Sequence, residues 1–108
     1  MTPFDTLVGS ITALRPDDLE RWVRDALIAP VQHDQPWVFA EPECARIRLI
    51  CTLHYDLEVT SDALPVVLSL LDQLYQTRAD LRAMTDAVLR QGPEVQAEIL
   101  RTLAARPA

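Results

Sequence analysis

The sequence predicts a mainly α fold: a winged helix-turn-helix with a small β-hairpin wing, then a long helix and a short C-terminal helix. Three observations predict it. Only two of 108 residues are glycine while 49% are hydrophobic, which favours an ordered helical chain over a sheet rich in tight turns. Apolar residues recur at 3–4 spacing through most of the chain. One segment, QPWVFAEPE at 35–43, breaks that rhythm, with prolines on both sides and aromatics two residues apart. Alternate residues of a strand share a face, so Trp37 and Phe39 would lie on one side of a short extended piece. That piece is either a hydrophobic clip that ties a strand to a helical core or the wing itself.

The elements follow in order. PFDTLVGSI reads as a short first helix, with Phe4, Leu7, Val8 and Ile11 as its apolar positions. RPDDLERWVRDALIAP has a strong start: Pro16 suits the first helical position, and Asp17, Asp18 and Glu20 sit where the helix dipole favours acids. Leu19, Trp22, Val23, Ala26 and Leu27 give it one apolar face, and Pro30 is the expected stop. Residues 31–39 are expected to form a hairpin, with VQHDQ as the turn and WVF as a strand. EPECARIRLICTLHYDLE opens on Pro42; Ile47, Ile50, Cys51, His54 and Leu57 form a face that Leu49 and Leu53 widen.

The long element runs from an N-cap candidate at Ser61 to a stop at Gly92. Val67, Leu74, Leu81 and Val88 repeat every seven residues, with Leu70, Thr77 and Met84 between them. A helix of about 30 residues would run roughly 45 Å, more than a domain of this size covers by itself. Val67, Leu70, Leu74, Leu81, Met84 and Val88 are therefore the expected contact with PEVQAEILRTLAA or with a second copy of the chain. The expected division is a head over 1–58 and a dimerisation helix with the last helix over 59–108, packed as one unit.

Chemistry is sparse. No glycine-rich phosphate loop, HExxH or CxxC occurs, and no cofactor is expected. Cys44 and Cys51 stand two helical turns apart, roughly 10 Å, too far for a disulfide. Cys51 and His54 could reach one metal ion, but no second cluster completes a ligand set. His33 lies in a polar turn and reads as solvated. No apolar run approaches membrane-spanning length and the N-terminus has no basic n-region, so the cytoplasm is the expected location.

Charge carries more. The net charge is −6 and all ten basic residues are arginine. Over residues 1–58 there are five arginines against ten acids, a net of −5. Nucleic-acid binders gain affinity by neutralising phosphates, so this head would repel a duplex. Asp17, Asp18, Glu20 and Asp25 are either a plain solvated face or a docking patch for a basic protein surface. Trp37 and Phe39 are read as core first and as partner contacts second.

The helix order resembles a MerR-like winged helix with a dimerisation helix, in which DDLERWVRDAL would enter the major groove. The chain also resembles the CbpM-type chaperone modulators, on LIAPVQHDQPWVFAEPECARIRLICTLHYDLEV and ALPVVLSLLDQLYQTRADLRAM, more than half of its length. That resemblance implies a non-enzymatic homodimer that binds the J domain of a DnaJ/CbpA-like co-chaperone and blocks its engagement with Hsp70. J domains present a basic helix to Hsp70, and an acidic head suits such a surface. The alternative is a MerR-type DNA-binding transcriptional regulator, which would need a basic stripe from Arg15, Arg21, Arg24, Arg46 and Arg48.

Overall fold

The computed structural model describes residues 1–107. Its elements are β1 (Thr2–Pro3), α1 (Phe4–Ser10), α2 (Pro16–Arg24), β2 (Val38–Phe39), α3 (Glu41–Cys51), a π-helical turn (Thr52–Asp56), α4 (Leu64–Leu89) and α5 (Pro93–Ala104). The fold is therefore mainly helical, with a minimal antiparallel sheet in the wing. The chain divides into two compact units, Met1–Ser69 and the residues from Leu70 on.

In the first unit the chemistry of the helix starts is as the sequence predicts. Proline occupies the first turn of α2 and α3, where a missing N–H costs nothing, and α5 of the second unit starts the same way. Asp17 and Asp18 stand in the first turn of α2, with Arg21 and Arg24 in its last, complementing the helix dipole at both ends.

The end of α2 differs from expectation. The helix stops at Arg24, well before Pro30. Ala26 takes φ 59°, and the amides of Ala26 and Leu27 donate back to the carbonyls of Val23 and Trp22 at 3.1 and 3.0 Å. This is a Schellman closure with alanine in the left-handed position that glycine usually fills. The reversal turns Ile28 into the core, where it is only 3% exposed.

The wing strand also finds a different partner. β2 is where WVF was expected, but its ladder is with the N-terminal β1, in the register Thr2↔Phe39 and Pro3↔Val38. The Phe4 amide continues the contact to the Trp37 carbonyl at 3.0 Å. Within 31–39, the Val31 amide donates to the Val38 carbonyl at 2.8 Å, and the Trp37 indole N–H closes the loop onto the His33 carbonyl at 3.1 Å. The Gln35–Pro36 peptide is cis.

The core of this unit gathers Leu7, Leu19, Trp22, Phe39, Ile47 and Ile50, each at most 1% exposed. Leu64 and Leu68 of α4 join it at 1% each, so the first turns of the long helix belong to the head and the compact division falls after Ser69 rather than near residue 58. After α3 the hydrogen bonds widen: Leu57 donates to Thr52 and Val59 to Leu53. The wider turn shifts the phase of the apolar face. Leu53 is buried, while Leu57, expected on that face, is 64% exposed.

In the second unit, α4 continues to Leu89 and α5 starts after Gly92, which acts as the N-cap of α5 as well as the break. The Gln96 side-chain amide donates to the carbonyls of Leu89 and Gln91, bracing the connection. Leu70, Leu74, Leu81 and Met84 remain exposed, at 60, 43, 63 and 67%. Val67 and Val88 are half-buried. Among the described residues no helix is long and apolar enough to cross a membrane.

Candidate functional site: the acidic face and the wing cleft

The residues predicted to bind a partner separate into two groups. Asp17 and Asp25 are exposed at the two ends of α2, and Glu20 is half-buried between them. Asp18 points the other way and is 9% exposed. The Tyr55 hydroxyl donates to its Oδ2 at 2.6 Å, and the Arg15 backbone amide donates to that hydroxyl at 3.2 Å. Arg21 lies 3.7 Å from the other carboxylate oxygen. Asp18 is thus a fastener between α2 and the π turn, because a buried carboxylate must be hydrogen-bonded to be tolerated. The docking role expected of it does not fit this placement. Phe39 is wholly buried and Trp37 nearly so, at 0 and 9% exposure. Both serve the core reading, and Phe39 offers no surface to a partner.

Titration follows the same packing. Burial pushes the Tyr55 phenol up to about 12, helped by its hydrogen bond to Asp18. Burial, with the charges of Asp18 and Asp56 behind it, pushes the Cys51 thiol up to about 11. Cys44 and Cys51 are both free thiols and both buried. A buried thiol held protonated is a poor nucleophile and a poor metal ligand. Among the described residues no group of three or more His, Cys, Asp or Glu side chains could hold a metal ion. His54 lies edge-on to Trp22, with 6.3 Å between centroids, and its Nδ1 is 2.7 Å from the Val59 carbonyl. It closes the turn after the π segment.

Three of the five arginines a DNA-reading head would need lie beside an acid or a carbonyl. Arg21 faces Asp18, and Arg24 lies 3.6 Å from Glu20. The Arg46 side chain donates to the Leu27 carbonyl at 2.6 Å, bracing the reversal after α2. Glu43 supports the same stretch by accepting the Ala29 amide at 3.0 Å. The would-be recognition helix therefore presents intrahelical ion pairs rather than a cationic stripe.

Sequence reasoning missed a cleft beside this face. Pro3, Phe4, Asp5, Glu20, Gln35, Pro36 and Trp37 line a space of about 300 Å³. The Phe4 and Trp37 rings stand 6.1 Å apart. The cleft exists only because β1 pairs with β2, a contact across more than thirty residues that no local pattern encodes. Its one sequence signal is the two aromatic–proline neighbours, Pro3–Phe4 and Pro36–Trp37.

Short helices and a paired wing strand give the first unit a winged helix-turn-helix architecture. The particular family follows from comparison: the model of the MerR HTH family regulatory proteins matches residues 8–86, and the chain belongs to that family. No curated protein and no solved structure matches it.

Proposed function

We propose that the protein is a non-enzymatic modulator of a DnaJ/CbpA-like co-chaperone, which binds the J domain and blocks its action on Hsp70. The observation that carries this reading is the charge of the head: ten acids against five arginines over residues 1–58, with Arg21 and Arg24 interleaved with acids along α2. Asp17 stays exposed on that helix and Asp25 just past its end. Charge of this sign speeds and orients association with a basic helix and disfavours a phosphate backbone. The protein acts as a homodimer through the exposed apolar positions Leu70, Leu74, Leu81 and Met84 of α4, with Val67 and Val88 beside them. Calorimetric titration with the isolated J domain at two salt concentrations tests the reading.

Family membership favours a second reading, a DNA-binding transcriptional regulator of the MerR type. The net charge of −5 over residues 1–58 counts against it. A gel shift at low salt separates the two: retardation of duplex DNA at concentrations where the J domain does not bind would replace the first reading with the second.

A further inference from the structure

The cleft beside the acidic face combines two kinds of wall. Pro3, Phe4, Pro36 and Trp37 are apolar, Asp5 and Glu20 bring carboxylates, and no basic residue lines it. At about 300 Å³ it lies at the small end of ligand sites, sized for one long side chain rather than a cofactor. We propose that it takes a single lysine or arginine side chain projecting from the basic surface of the partner protein, an inference that rests on the docking reading above. The aliphatic stem of such a residue covers apolar surface while its head stays polar, which matches proline and aromatic walls with carboxylates beside them. Aromatic rings add attraction for the cation. A neutral apolar side chain would desolvate both carboxylates with nothing in return.

Two internal competitors exist. Glu20 is shared with Arg24 at 3.6 Å, but the Arg24 side chain is 70% exposed, so that pair is weak and exchangeable. Asp5 sits in the first turn of α1, where the dipole of a seven-residue helix offsets part of its charge. Neither competitor fills the cleft.

The test uses the ¹⁵N-labelled full-length protein and two probes, Nα-acetyl-arginine amide and its neutral isostere Nα-acetyl-citrulline amide. The arginine probe should shift the Trp37 indole N–H and the Phe4 and Asp5 amides, the citrulline probe should not, and the double variant D5N/E20Q should lose the response. J-domain affinity should fall by about two- to fivefold for each carboxylate removed, and by roughly tenfold for both, at low salt. Equal shifts with both probes would overturn the proposal. So would a J domain that binds wild type and D5N/E20Q equally, which would leave the docking reading standing. An arginine-specific response in a protein that binds no J domain would support the cation site and remove the docking reading instead. Unchanged urea melting of D5N/E20Q serves as the folding control.

Discussion

Replacing Asp18 with alanine separates a structural acid from a docking acid. The Asp18 side chain is 13% exposed, and its Oδ2 accepts the Tyr55 hydroxyl at 2.6 Å. A hydrogen bond to a charged group contributes about 1.5–3 kcal/mol. Tyr55 is half-buried, so water can partly replace the lost acceptor and the lower half of that range applies. Arg21 is 52% exposed at 3.7 Å and adds little. The helix-dipole contribution of a first-turn acid, about 0.5 kcal/mol, is common to Asp18 and its exposed neighbour Asp17. Asp18→Ala should therefore cost about 2 kcal/mol and lower the melting temperature by about 10 °C, while Asp17→Ala should cost about 0.5 kcal/mol. Urea denaturation of Asp18→Ala, Tyr55→Phe and the double variant forms a thermodynamic cycle, in which a coupling of about 1 kcal/mol or more is expected. Additive single-variant costs would refute the fastener role. So would an Asp18→Ala protein of wild-type stability that binds the J domain more slowly.

Three further outcomes follow from the same geometry. Ala26→Gly should raise stability by about 0.5–1 kcal/mol in urea melts, because an exposed alanine at φ 59° carries left-handed strain that glycine lacks; a loss of stability would mean that the reversal is not strained. Tyr55 and Cys51 are raised to about 12 and 11, so their neutral forms are favoured by folding. That contribution is fully present below their ordinary values of 10.0 and 9.0 and is lost as pH climbs through the raised ones. Melting temperature should hold steady from neutral pH to about 9 and then fall towards 12, and Tyr55→Phe should flatten the upper part of that fall. Leu81→Asp, at a position 63% exposed in the single chain, should leave the monomer folded but halve the mass seen by light scattering, since a second copy would bury the charge unpaired. A monomeric wild type would remove the dimer.

Much of the fold is legible because it is local. Pro16, Pro42 and Pro93 mark helix starts through a missing N–H, and the spacing of Ile47, Ile50 and Cys51 marks a core face. What escapes is set by geometry that composition does not carry. The end of α2 is hidden because alanine, not glycine, takes the left-handed position. Leu57 leaves the core because the π turn widens the helix ahead of it. β1 is two residues long, too short for any alternation to show, yet its pairing with β2 builds the cleft. The acidic run of α2 is legible as charge but not as direction: Asp17 and Asp18 are adjacent in sequence and about 100° apart on the helix, so one meets solvent and the other meets Tyr55.

Everything proposed for the acidic head turns on its binding a basic J domain. Calorimetric titration of the full-length protein with that domain, at low and at physiological salt, tests it most directly. Saturable binding that weakens as salt screens the charges is expected, and an Asp17→Asn/Asp25→Asn variant should bind more weakly at low salt and with less salt dependence. Absence of binding at both salt concentrations would contradict it.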